Sequence, residues 1–305
     1  MTTESASVES IPSFAVKDSH PARRSLWGDA FRNMKRDRIA MVCAFVLFLY
    51  VMVALLCQFG WIASPWDRVV GNAYQAPSVK SIDLLLGTDL FGRSVFYKVL
   101  HGTRIAMSVG LMSSLLSIPV GVLLGAVSGY FGGWIDDCIV WFYTTVSSIP
   151  NIMLLISVTF VLGKGLTAMY VALGVTAWVG LARVMRGEFM KHKSRDYVVA
   201  AESIGASHFA RVFKHILPNV SHFIIINLSV QFVSAIKSEV ILSFLGLGVQ
   251  GQPSWGVMID DAKLELSRGV WWQLAGASFA MFFVVLAFNL LGDSLRDALD
   301  PKMRR

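Results

Sequence analysis

Residues 105–131 run for twenty-seven positions without a single charge, and residues 138–162 repeat the feature. A run of this length and polarity has few ways to fold. An α-helix rising 1.5 Å per residue crosses hydrocarbon about 30 Å thick in about twenty residues, and it satisfies every backbone hydrogen bond internally. The chain is 55% hydrophobic and 15% charged, well below the roughly 25% charge of soluble domains. These features predict an all-α membrane protein.

Six spans fit: about Ile39–Phe59, Ile105–Phe131 with a kink at Pro119, Cys138–Leu162 with Pro150 inside, Leu166–Ala182, a fifth from about Val220, and Gln273–Leu291. The fifth is expected to end near Ile236. Lys237 then snorkels at the far interface, and the run after Glu239 forms a separate short helix packed on protein. Gly121, Gly125 and Gly129 are spaced by four, which lines one helix face with small residues and lets another helix approach closely.

The net charge of +7 could imply nucleic acid, but the basic residues flank apolar runs instead of forming one patch, so no nucleic-acid partner is expected. The N-terminal tail, the loop after span four and the C-terminal tail together hold 18 of the 27 Lys and Arg. These three segments share one side only with an even number of spans, and that side is the cytoplasm by the positive-inside rule. Trp61, Trp66, Trp271 and Trp272 are then expected as anchors at the other interface. The first 38 residues are polar and do not read as a signal peptide. The expected organisation is a cytoplasmic tail (1–38), a first span with an extracytoplasmic segment (39–102), a core (103–292) and a second cytoplasmic tail (293–305).

No catalytic signature is visible. G-x-x-x-x-G-K-[ST], H-E-x-x-H and G-x-S-x-G are all missing, Cys43, Cys57 and Cys138 lie in apolar runs without metal-ligand spacing, and no cofactor is implied. A self-sufficient secondary transporter would need ionisable groups near the midplane, and the spans offer only Lys237 and Glu239 near one end. The energy source is therefore expected outside this chain.

The informative polar stretch is Tyr197–Asn219, Y-V-V-A-A-E-S-I-G-A-S-H-F-A-R-V-F-K-H-I-L-P-N. It predicts a helix over 197–204, a reversal at Gly205, a second helix over 209–215 capped by Ser207, and a stop at Pro218. Ala200 and Ala201 would let a partner surface come close. Physics alone fits an ordinary amphipathic hairpin equally well.

The spacing of Ala200, Ala201, Gly205, Leu217 and Pro218 resembles the EAA motif of ABC importer permeases, with Val199 where that motif opens on glutamate and Glu202 three positions on. L-G-T-D-L-F-G-R-S-V-F-Y-K-V-L-H-G (86–102), S-F-L-G-L-G-V-Q-G-Q-P-S-W-G (243–256), N-L-L-G-D-S-L-R-D-A-L-D-P-K (289–302) and R-S-L-W-G-D-A-F (24–31) look like OppC/DppC-type permeases of peptide importers. The resemblance implies a type I ABC importer permease fold in a bacterial inner membrane. It also implies a second homologous permease, two ABC ATPase subunits and an extracytoplasmic peptide-binding protein as partners, besides membrane lipid. The loop would couple to an ATPase through Ala200, Ala201, Glu202, Gly205, Leu217 and Pro218. Related permeases also serve nickel, opines and glutathione-like solutes. Asp67–Lys98 and Gln250–Arg268 would face the binding protein, with Asp260, Asp261, Glu265 and Arg268 as docking charges or simply a solvated face.

Overall fold

The computed structural model describes residues 34–299. The basic residues from Lys17 to Arg32, the 24–31 stretch, and Lys302, Arg304 and Arg305 lie outside the described residues. Among those described the fold is helical, and extended pairing is limited to two isolated bridges, Val69 with Arg93 and Thr88 with Ser94. The helices are α1 (Arg38–Gln58), α2 (Val95–Phe131), α3 (Gly133–Ser148), α4 (Asn151–Leu162), α5 (Leu166–Thr176), α6 (Trp178–His192), α7 (Asp196–Ser203), α8 (His208–Phe244), α9 (Trp255–Leu266) and α10 (Trp272–Leu299). Five helical stretches are long and apolar enough to span a membrane, with α5 and α6 counted as one. A sixth arises if the bent pair α3–α4 crosses as a unit.

α2 is the central strut. Its 37 residues extend about 55 Å, more than the hydrocarbon needs. Ser94 caps it, its side chain accepting from the Tyr97 N–H. The helix therefore starts ten residues before the apolar run, carries Lys98, His101 and Arg104, and contains the expected 102/103 division. Pro119 lies inside α2 without ending it.

The glycine face does what its spacing predicts. A Cβ at Gly121 would lie 2.9 Å from the Trp178 carbonyl oxygen, and one at Gly125 would lie 2.5 Å from that of Ala182. One at Gly129 would strike the Arg186 carbonyl. Both helices advance by four, so α2 and α6 touch backbone to backbone for three turns. Where they meet at one end, Asp136 of α3 accepts from Arg186 Nε and Nη2, each at 2.6 Å, and from the Ser128 hydroxyl.

Five expectations change. The third span is not straight: α3 and α4 meet at 88° around Ile149 and Pro150. Proline removes a backbone donor and disfavours helix in the residue before it, and Ile149 is accordingly extended. The fifth span does not stop at Ile236. It runs through Lys237 and Glu239 to Phe244, because Lys237 is exposed on one face while Glu239 is buried on another and accepts from the Ser243 hydroxyl at 2.8 Å.

Pro218 does not end the second hairpin helix either. Over Arg211–Ile216 the helix widens, and the Leu217 N–H donates to Val212 O five residues back. The wide turn accommodates a ring that would otherwise press on the preceding turn. Finally, Trp272 is no interfacial anchor: it is buried, and its indole N–H donates to Thr88 O at 2.8 Å. Trp61 and Trp271 stay exposed. The last helix also continues to Leu299, past the expected start of a tail at 293.

Candidate functional site

Between the spans that end at His192 and begin at His208 lies the Gly205 hairpin. α7 ends at Ser203 and Gly205 takes φ +84°, a left-handed conformation that a side chain, above all a β-branched one, resists. Ser207 caps the next helix, its hydroxyl accepting from the Ala210 N–H at 3.3 Å. Val198, Val212 and Ile216 are buried and join the cluster that holds Leu181, Met185 and Phe189 of α6, and Ala201 is buried as well. The hairpin is thus seated on the bundle through its inner face.

Its outer face is apolar and bare. Ile204 is 85% exposed and Phe209 71% exposed. Phe209 packs against Phe213 with ring centroids 4.4 Å apart, and Val199 and Ala200 are also exposed. Ile204, Val199 and Ala200 lie between spans with no hydrocarbon to hide in, and Phe209 stands at the very start of the next one, so this patch calls for a protein surface.

Of the sequence-predicted residues, Ala200, Glu202, Gly205 and Pro218 are exposed, Leu217 is half-buried and Ala201 is buried. Glu202 turns towards its own chain: its carboxylate pairs with Arg211. Arg211 is buried; its second terminal nitrogen lies 3.0 Å from His208 Nδ1, its guanidinium stands over the Tyr130 ring, and Tyr130 Oη lies 3.0 Å from the same His208 nitrogen. One arginine thereby ties both arms of the hairpin to the end of α2.

At the opposite end, Lys98 is 2% exposed and donates to Asp89 Oδ2 at 3.0 Å and Gln273 Oε1 at 2.7 Å. Asp89 also accepts from the backbone N–H groups of Phe91 and Arg93, both at 2.9 Å, and from Arg93 Nε at 2.8 Å. Burial alone would raise the Asp89 pKa; Lys98, the Arg93 N–H and the Arg93 charge together hold it below the ordinary value.

Of the four expected docking charges, Asp261 and Arg268 are exposed, Asp260 is half-buried and Glu265 is buried. Asp261 lies 3.8 Å from Lys98 Nζ, Glu265 is buried with one carboxylate oxygen unpartnered, Arg268 stands over Tyr74, and Asp260 pairs with Lys263. Burial raises the pKa of both Asp261 and Glu265. A cavity of about 520 Å³ opens here, lined by Trp66, Arg93, Lys98, Gln250, Gln252 and Asp260 among others. The sequence reading missed Lys98 and Gln273; the one available signal was a lysine nine residues after the aspartate in the 86–102 stretch.

Spanning helices joined by a seated hairpin with an apolar outer face describe a component of a membrane assembly. The chain belongs to the binding-protein-dependent transport system inner membrane component family, whose model matches residues 121–305, and residues 25–77 match the N-terminal transmembrane domain of oligopeptide transport permease C. It is a multi-pass inner-membrane transport permease and not an enzyme.

Among its relatives are the dipeptide transport system permease protein DppC of Bacillus subtilis, 39% identical over 91% of this chain and 86% of the relative, and the oligopeptide permease OppC of the same organism, 34% identical over 92% and 91%. The glutathione permease GsiD of Pectobacterium atrosepticum is 34% identical over 92% and 93%. A solved chain of the MetNI methionine ABC transporter in inward-facing conformations matches with a TM-score of 0.52 and 18% identity, covering 67% of this chain and 94% of that one. This last likeness supports the ABC importer permease fold.

Proposed function

We propose that this chain forms half of the transmembrane pathway of an ATP-driven importer of di- or oligopeptides and that the Gly205 hairpin receives a separate ATPase subunit. The observation that carries the coupling role is the pairing of a seated inner face with the bare Ile204–Phe209 outer face. A lever needs both: a rigid connection to the spans and a surface for the motor. The hairpin and both termini lie in the cytoplasm, where ATP is found. A second, homologous permease completes the path, two ATPases bind beneath, and an extracytoplasmic binding protein delivers the peptide at the Asp89–Lys98 end. In this arrangement Glu202 serves the hairpin's own shape through Arg211, and Ala200, Gly205 and the exposed apolar residues meet the ATPase.

The similarity to GsiD favours a second reading of the substrate, a glutathione-like small peptide, served by the same machinery. Mass spectrometry of ligand co-purifying with the complex separates the two.

Gly205→Val tests the hairpin. A β-branched residue at φ +84° costs on the order of 1–3 kcal/mol locally, enough to unseat the turn but not the spans. We expect normal membrane insertion with loss of ATPase co-purification and of substrate-stimulated hydrolysis. Normal stimulated turnover would contradict the role given to the hairpin.

A further inference from the structure

We infer that the exposed face of α8 around Lys237 lines the transport path and that Lys237 receives the carboxylate end of the solute; this rests on the importer reading above. Lys237 lies seven residues, about 10 Å, before the end of α8, on a helix apolar enough to span a membrane. It is exposed and has no hydrogen-bond or ion-pair partner among the described residues. Ser234 is exposed one turn earlier on the same face. A further turn along, at the break between α5 and α6, Gln231 Nε2 donates to the Ala177 carbonyl at 2.9 Å while its Oε1 accepts from the Ser117 hydroxyl at 2.8 Å.

Such a face is costly against lipid. Charged groups in spanning helices are costly against lipid, less so towards the helix ends, and polar groups in spans face protein or a water-filled cavity. The α8 face is mixed, with Val230, Ile241 and Phe244 exposed beside Ser234 and Lys237, whereas the outward residues of α10 include Phe279, Phe282 and Phe283, all at least half exposed and suited to hydrocarbon.

The nearest acid along the helix does not neutralise the lysine. Glu239 is two residues on, about 200° around the helix, and is fully buried with its Oε1 accepting from Ser243. Lys237 therefore offers an uncompensated positive charge to whatever occupies the space beside α8. A peptide crossing that space carries a carboxylate of the complementary sign, and a charge-assisted hydrogen bond to it is shorter and stronger than a neutral one.

The test uses the complete complex of permeases, ATPases and binding protein in proteoliposomes. In a Cys138→Ser background, chosen because Cys138 is exposed while Cys43 and Cys57 are buried, Lys237→Cys should react with a membrane-impermeant methanethiosulfonate in one nucleotide state, and a saturating dipeptide should slow the reaction. Lys237→Gln should raise the half-saturating concentration for a dipeptide with a free C-terminus about tenfold, leave its C-terminal amide unchanged, and be rescued by Lys237→Arg.

A cysteine silent with and without ATP overturns the pathway face. Unchanged uptake by Lys237→Gln, or an equal fall for acid and amide, overturns the carboxylate role and points to pairing with an acid on the second permease. Wild-type complex that imports no peptide sinks the proposed function and the carboxylate role together, while the labelling still reads the face.

Discussion

At the end where Lys98 meets Asp89 and Gln273, the buried cation has its partners within this chain and the indole of Trp272 closes the cluster from the side. At the hairpin end a buried arginine holds the scaffold, but Ile204 and Phe209 stand away from the bundle and contribute nothing to it. The first arrangement keeps its shape unaided. The second spends rigidity on presenting an apolar surface to water, which is sensible only if another protein covers it. The difference separates residues that hold this chain together from residues that connect it to something else.

The largest effect should come from breaking the self-contained end. Lys98→Met keeps the volume and removes the charge, leaving Asp89 buried with Arg93 as its one remaining cation, and with Asp261 and Glu265 nearby. Removing one partner of a buried pair typically costs about 3–5 kcal/mol. We expect a large drop in the detergent-stable monodisperse fraction by size-exclusion chromatography, and a melting temperature well below wild type in whatever survives. A wild-type melting curve would show that the cluster is not what closes this end.

The hairpin end should respond in the opposite sense. Ile204→Asp places a charge where a partner surface is expected, at a residue almost fully exposed in this chain. Its melting temperature should stay at the wild-type value, while ATPase affinity falls by about 1–3 kcal/mol, the range of a central interface residue. Co-purification and stimulated ATP hydrolysis read the second quantity. Equal ATPase binding would move the contact elsewhere on the hairpin.

How far the sequence could be read follows the same division. Spans, the glycine face of α2 and the turn at Gly205 were all legible, because each rests on a local rule: run length, a spacing of four, or a residue suited to positive φ. The bend at Pro150 and the uninterrupted course of α8 were not. Pro150 was read as lying within a span and Pro218 as ending a helix, yet the chain breaks at the first and widens to pass through the second. Proline constrains a helix without saying whether the surroundings will break it or absorb it.

Lys98 was hidden for another reason. Its partners are nine and 175 residues away, and no periodicity announces a contact of that kind. Asp260, Asp261 and Glu265 are neighbours on one short helix, and the sequence does not separate them. Helical geometry buries Glu265 and brings Asp261 to 3.8 Å from Lys98 while leaving it exposed.

The smallest expected effect is a pH dependence that belongs to the Lys98 end. Glu265 is buried with one carboxylate oxygen unpartnered, and burial raises its pKa, with Asp261 and Asp89 adding to the rise and Lys98 opposing it. Because the folded state holds this proton more tightly than the unfolded chain, stability increases as pH falls through the raised value and levels off below the unfolded one. Asp89 has the opposite sign: its depressed pKa keeps its contribution intact until the pH falls below the ordinary carboxylate range. Mild acid should therefore strengthen this end before strong acid weakens it. Glu265→Gln, which mimics the protonated form, should remove part of the mild-acid gain in melting temperature and leave ATPase binding at the hairpin unchanged. A slope with pH identical to wild type would show that Glu265 is not the group responsible, and a change in ATPase binding would mean that the two ends are mechanically linked.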